Sequence, residues 1–456
     1  MDKLAESKEG FNDTDENLSM QFFITLGEQY LQQYLNHDKL TYLNLSKCNL
    51  EELPEFLEIR AIQELNLSHN KLTEVPLCLY SSDLCSLKNL DLSFNKIREF
   101  NKEPSCINNI QHLRLDNNDF ENIPDWFLTL RCLNLEYFNY SNNHANHYNF
   151  VINEPNLINM KLSKLELNNS CLIDKDFYWL RKFGNLQFLD IGNENNNNQK
   201  HCNKFKQIER LFIRSKWEKL EILKLSNLDL CFFPETILKF NSLKELYVAN
   251  NLLSWFSNGL ENLSSLEILD ISGNQVVFIP DDISLLKNLK VFIACGNQID
   301  VIPKLPPNLK VLDLYDNYLT SINNSVIESV QLLDFDYNYI CLEDLDIVIF
   351  NEYCEKKTKY REIYEITDRV SCNKILDICN NSVSSSDSSF EEEHNYENDN
   401  IPNLEEDWDR ENEIHLRSHV TWSDDEFDGN LYFLNANSKS KIPFLSNEDL
   451  LFVDAD

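Results

Sequence analysis

Leu40-Thr-Tyr-Leu43-Asn-Leu45-Ser-Lys-Cys48-Asn-Leu50 is answered further along by Ile62-Gln-Glu-Leu65-Asn-Leu67-Ser-His-Asn70-Lys-Leu72. Both stretches fit LxxLxLxx[NC]xL, and a third copy runs from Leu87 to Ile97. Further copies open at Ile110, Leu220, Leu243, Leu266, Leu289, Leu309 and Val330, with looser ones at Leu135, Leu162 and Leu186. About thirteen units result, most of them 20 to 27 residues apart, a period that marks a stacked array rather than separate globules. In phase with it, proline stands fourteen residues after the opening position in six copies: Pro54, Pro76, Pro124, Pro234, Pro280 and Pro303. Its fixed φ and missing N–H suit a set turn on the side away from the strands.

The LxL core of each copy alternates apolar with polar residues, so it reads as a short strand that buries one face and shows the other. One unit cannot bury its leucines alone, but stacked units share a continuous core of parallel strands. The fold class expected is an α/β solenoid. The ninth position is asparagine in eight copies: Asn70, Asn95, Asn118, Asn251, Asn274, Asn297, Asn317 and Asn338. A side-chain amide there can satisfy loop backbone groups that would otherwise be buried unpaired, so these residues are read as structural.

With the xxLP step after LxxLxLxxNxL, the chain resembles the intracellular leucine-rich-repeat proteins of the Ras-group and scaffold type, over roughly residues 40–340. The resemblance implies a curved array whose concave strand face binds proteins. Residues 1–18 are expected to lack order. Residues 19–39 should form a helical cap, with Phe22, Phe23, Leu26, Tyr30 and Tyr34 at helical spacing behind Ser19. The solenoid spans 40–340, a C-terminal cap of helical character 341–380, and an acidic disordered tail 381–456. The Asn-rich insert Asn193–Lys206 interrupts the copy opening at Leu186 and should loop out.

Composition narrows the function. The chain of 456 residues carries a formal net charge of -34, with 20 acidic and 4 basic side chains in residues 381–456 alone. Such a balance argues against nucleic acid and anionic membranes and favours protein partners with a basic patch. Eight glycines and no GxGxxG or GxxxxGK[ST] remove the usual nucleotide cradles. Thirteen scattered cysteines without a CxxC pair predict reduced, mostly buried thiols. No apolar leader opens the chain and no run of about 18 apolar residues exists to span a membrane. These features predict a cytoplasmic or nuclear protein. No GxSxG, HExxH or EF-hand loop is present, and His144 with His147 form an HxxH in a loop that shows no neighbouring Cys or carboxylate pair. No enzyme, metal or cofactor is expected.

Two candidate binding regions remain. Strand positions 3, 5, 7 and 8 should face outward. In the first copies they are mixed and polar, with Tyr42, Asn44, Ser46, Glu64, Asn66 and His69. In the last two they present Asp313, Tyr315 and Asp316, then Asp334, Asp336 and Tyr337, aromatics ringed by carboxylates that suit an Arg- or Lys-bearing partner.

The tail holds Arg417-Ser-His419-Val420-Thr421-Trp422, followed by Ser-Asp-Asp-Glu. It resembles the RVxF docking motif of regulators of the type-1 protein serine/threonine phosphatase. That motif works by adding a strand to a sheet edge while alternate side chains, here Val420 and Trp422, fill two pockets. In one group of these regulators an apolar pair and then an arginine follow. Here Leu431-Tyr432 and Lys441 stand at matching intervals. His419 occupies the place of the usual Lys or Arg, and Lys441 lacks arginine's bidentate geometry. Thr421, Ser423 and Ser446 are candidate phosphorylation sites, the two serines followed by acidic residues. The resemblance implies a scaffold that targets the phosphatase catalytic subunit. The alternative is a leucine-rich-repeat adaptor in small-GTPase or cytoskeletal signalling, with a tail that only solubilises.

Overall fold

The computed structural model describes residues 41–53, 61–81, 86–128, 132–144, 161–194, 201–256, 258–341 and 345–366. The expected N-terminal helix, Pro54, His147 and the whole tail lie outside the described residues. Thirteen three-residue strands form one parallel sheet in chain order. They are β1 (Tyr42–Asn44), β2 (Glu64–Asn66), β3 (Asn89–Asp91), β4 (His112–Arg114), β5 (Tyr137–Asn139), β6 (Lys164–Glu166) and β7 (Phe188–Asp190). The sheet continues with β8 (Ile222–Lys224), β9 (Glu245–Tyr247), β10 (Ile268–Asp270), β11 (Val291–Ile293), β12 (Val311–Asp313) and β13 (Leu332–Asp334). The copies at Leu135, Leu162 and Leu186, looser in sequence, are full members as β5, β6 and β7.

Register follows the leucine period without a slip. Leu43 stands beside Leu65, Leu65 beside Leu90, and so on through Leu246 and Leu269 to Leu333. Every side chain in that column is buried, including Phe138 and Phe292 where leucine is replaced. Full burial of a leucine is worth about 1.5–3 kcal/mol. A one-residue slip would turn the whole column to solvent, so one spine of apolar side chains fixes every strand at once.

Leaving the strand, the backbone turns left-handed at position 8. Lys47, His69, Phe94, Asn117, Asn142, Asn169, Asn227, Asn250, Asp316 and Tyr337 all have φ between 49° and 60°. Asn and Asp tolerate that region best among residues with a side chain. Gly273 is needed there for a second reason, because a Cβ would lie 2.3 Å from Asn250 Oδ1.

The next residue carries the ladder. Asn251 Oδ1 accepts the N–H groups of Leu228 and Leu230 at 3.0 and 3.1 Å. Its Nδ2 donates to the carbonyls of Leu225, Val248 and Ala249 at 2.9, 2.9 and 3.2 Å. Asn70 repeats this set toward Cys48, Leu50, Leu45, Leu67 and Ser68. One amide thus serves five backbone groups across two repeats.

On the return side, prolines act as read from the sequence. The carbonyls of Pro76, Pro124, Pro234 and Pro280 each accept the N–H three residues on. They open the 3-10 turns Leu77–Tyr80, Asp125–Leu128, Glu235–Lys239 and Asp281–Leu285. Pro303 opens none, since the next copy starts at Leu309. Four α-helices complete the described part: α1 (Phe177–Leu180), α2 (Glu209–Ile213), α3 (Asn324–Ser329) and α4 (Ile347–Ile363).

Replacing Asn251 by alanine strands the buried N–H groups of Leu228 and Leu230 and the carbonyl of Leu225, so a loss of about 3 kcal/mol is expected. Asn251→Asp keeps the acceptor oxygens but sets an anion against that carbonyl, and should fare no better at pH 7. Urea denaturation checks both; an aspartate variant as stable as the parent would contradict the ladder's role.

Candidate protein-binding face

The outward face of the sheet is formed by positions 3 and 5 of each repeat. Its last strands are not open. Helix α4, begun by an Asp346 side chain that accepts the Val348 N–H at 2.8 Å, lies within the stretch expected as the C-terminal cap. Tyr353 stacks on Phe335 with ring centroids 3.8 Å apart, closing the end of the core past β13. One and two turns on, Lys357 reaches Asp336 at 3.0 Å, and Arg361 reaches Asp334 at 2.8 Å and Asp336 at 2.9 Å. Tyr360 donates to Asp313 at 2.9 Å, and the Arg361 guanidinium lies over the Tyr315 ring.

This changes the reading of the acidic end. Asp313, Asp316, Asp334 and Tyr315 are buried, while Tyr337 stays exposed. The Arg- and Lys-bearing element that the carboxylates suit is the chain's own helix. Burial works against the Asp336 carboxylate, yet the Tyr353 hydroxyl, Lys357 and Arg361 hold its pKa below the usual range. With α4 seated, Asp313 and Asp334 present no surface to another molecule.

The open part of the face lies further back, on the middle strands. Tyr137, Lys164, Phe188, Lys224 and Tyr247 come from the five consecutive strands β5 to β9. The Lys164 ammonium sits 4.6 Å from the Tyr137 ring centroid and 4.8 Å from that of Phe188. Lys224 sits 5.3 Å from Phe188 and 5.4 Å from Tyr247. Each cation is thus sandwiched between two rings, an arrangement worth about 0.5–1 kcal/mol per contact at exposed sites. Carboxylates interleave with them: Glu166 pairs with Lys164 at 2.6 Å and accepts from Asn139 at 2.8 Å. Beyond β9, Ile268, Val291 and Ile293 leave apolar surface half-exposed on the same side. The only sequence signal for this row was the residue type at positions 3 and 5 of the middle copies. Of the residues named in the first copies, Asn44 and Asn66 accept the N–H groups of Ser46 and Ser68, and His69 stacks on Phe94.

His144 has neighbours that its own segment does not reveal. Its Nε2 lies 3.0 Å from Asp119 Oδ1 and its Nδ1 3.0 Å from His201 Nδ1, with Cys171 Sγ 3.9 Å from that same atom of His201. Among the described residues, however, no three His, Cys, Asp or Glu side chains gather as a metal site requires. Ten described cysteines are free thiols. Burial pushes Cys78 up to about 11 and Cys106 and Cys132 to about 12, which suppresses the reactive thiolate.

Comparison with known proteins agrees with this geometry. The Leucine Rich Repeat family model matches residues 39–58, 61–82, 109–130 and 265–286. The crystal structure of an internalin (inlF) from Listeria monocytogenes is similar in fold, with TM-score 0.54 and 22% identity over 71% of this chain and 86% of that one. This is a leucine-rich-repeat solenoid. Osteomodulin of Bos taurus is 26% identical over 143 residues, which are 28% of this chain and 32% of osteomodulin. Keratocan of Mus musculus is 36% identical over 83 residues, 18% of this chain and 23% of keratocan. The solenoid therefore spans about a third or less of the length of these curated relatives.

Asp190, in the middle of the open face, is raised to about 6. Burial is the main cause, with Glu166 and Glu194 adding to it and Lys224 and the Gly192 N–H opposing. The folded protein holds this proton where the unfolded chain has lost it, so the contribution to stability is full below about pH 4 and disappears as pH rises through 6. Asp190→Asn keeps the oxygen that accepts from Gly192. It is expected to add on the order of 1 kcal/mol at pH 7 and to flatten the slope between pH 4 and 6. Urea midpoints at several pH values read this, and an unchanged slope would count against it.

Proposed function

We propose that the solenoid is a non-catalytic scaffold that takes a protein partner on the strand face between β5 and β11. The row of Tyr137, Lys164, Phe188, Lys224 and Tyr247 carries this reading. Aromatic side chains dominate binding energy where they are held rigid, because they lose little rotamer freedom on association. Here each ring is already pinned by an ammonium group of a neighbouring strand. The carboxylates of Glu166, Asp190 and Asp270 on the same face, together with the net charge of -34, favour a partner with a basic patch. The raised pKa values of the buried thiols support a role without covalent chemistry.

A photo-crosslinking side chain at position 188 is expected to capture the partner, and one at exposed position 278 on the return side is not. Phe188→Ala with Tyr247→Ala should weaken binding by about tenfold or more. Capture from 278 alone would overturn the assignment.

The tail supplies a second arm in this proposal: docking of the type-1 phosphatase catalytic subunit through Val420 and Trp422, with His419, Leu431, Tyr432 and Lys441 in support. What favours it is the order and spacing of these residues, all of them outside the described residues. Cytoplasm or nucleus is the proposed location, supported by the free state of all ten described cysteines. A peptide of residues 410–445 is expected to retain the phosphatase, and its Val420→Ala/Trp422→Ala form is not. Phosphorylation at Thr421 or Ser423, which adds up to about two negative charges beside the pocket residues, should weaken retention. Equal recovery by the plain and substituted peptides would leave the adaptor reading.

A further inference from the structure

The charge of the chain is not evenly spread even within the solenoid. Residues 171–219 hold ten Lys and Arg against six Asp and Glu, whereas the whole chain holds 41 against 75. The structure widens this local excess at the surface by withdrawing carboxylates. Asp176 is buried, accepts the Ile173 N–H at 2.8 Å and the Trp179 indole at 3.2 Å, and is raised to about 6, mainly by burial. Glu209 is half-buried, with a pKa that burial raises. Asp174 is taken up by the N–H groups of Lys206 and Gln207 at 3.2 Å. Lys175, Lys204 and Lys206 are exposed, and none of the three forms an ion pair among the described residues. Nearby, burial above all, with the neighbouring Arg214, holds the Arg181 guanidinium below its ordinary pKa.

These lysines rim a cleft of about 630 Å³ beside the asparagine ladder, formed by residues 173–175, 203–206 and 228–229. Its apolar lining is Ile173, half-exposed Phe205 and buried Leu228, with Asp229 as a single exposed acid at the edge. The insert holds the cleft in shape. Asn203, not a residue at the expected ninth position, completes the ladder, accepting from Ser170 and Leu172 and donating to Leu167 and Ile191. Asn193 and Asn203 exchange two hydrogen bonds at the base of the insert, at 3.0 and 2.7 Å. The backbone N–H of Lys204 then pairs with Leu172, and Phe205 packs on Phe177. Lys204 and Lys206 are thereby set beside Lys175 by backbone geometry.

We propose that this cleft is a second protein-docking site, apart from the strand face, which takes an acidic segment carrying an apolar side chain. Three ammonium groups around an apolar floor match that chemistry: the carboxylates meet the rim while the apolar group leaves water on Ile173, Phe205 and Leu228. An anion without an apolar group would use only the rim.

The test uses the full chain and a short fluorescein-labelled Asp/Glu-rich peptide with one central Phe-Leu pair, followed by anisotropy. Binding is expected, falling with added salt. It should drop on the order of tenfold or more when the pair is replaced by Ala-Ala or when the protein carries Lys175→Glu, Lys204→Glu and Lys206→Glu. Because those lysines are exposed, the triple variant should unfold at the parent's temperature, and it should gain affinity for the matching Lys/Arg-rich peptide. Phe188→Ala with Tyr247→Ala should leave peptide binding unchanged, which separates this site from the strand face. Undiminished binding by the triple variant, indifference to the Phe-Leu pair, or tighter binding of a labelled single-stranded oligonucleotide than of the peptide would each overturn the proposal.

Discussion

Every repeat must bend out of its strand directly above a dry apolar core, and the bend would leave backbone N–H and carbonyl groups buried without partners. The amide of one asparagine answers this by accepting two N–H bonds and donating to three carbonyls of its own and the preceding repeat, as Asn70 and Asn251 do. Neither aspartate nor glutamine does the same work. Aspartate has no donor, and glutamine carries its amide one carbon too far. The residue just before the asparagine is left-handed, which is why Asn, Asp and Gly recur at position 8. With the bend satisfied, each strand can be short and each turn tight.

The same constraint explains how the solenoid tolerates its irregular middle. The amide that the ladder requires in this repeat is delivered by Asn203, beyond the expected ninth position. Asn193 and Asn203 pair reciprocally, and the sheet runs unbroken from β6 to β8. The insert also places charged residues beside the ladder where the repeat alone would not.

At the C-terminal end the problem is a core with no further repeat to cover it. Helix α4 covers it with Tyr353, pairs Lys357 and Arg361 with Asp334 of β13 and with Asp336 just beyond it, and donates the Tyr360 hydroxyl to Asp313 of β12. A cluster of acids that reads as a docking site in the sequence is thus part of the cap. The open surface is left to the middle strands, where aromatic rings and lysines alternate, and to the cleft beside Asn203.

The repeat, its phase, the strand positions and the role of the ninth-position asparagines were legible in the residues, because a period of leucines admits one way to bury them. Asn143 stands at that ninth position in a looser copy and joins the ladder as the others do. Asn203 could not be found by counting, since its place depends on how far the insert travels before it returns. Nor could pairings between distant segments be read: Tyr360 with Asp313, His144 with His201, or Lys175 with Lys204 and Lys206. Local periodicity specifies which face of each strand is buried, because that depends only on alternation along the chain. Which outward residues stay open depends on what else packs over them, and that was decided by the tertiary fold alone.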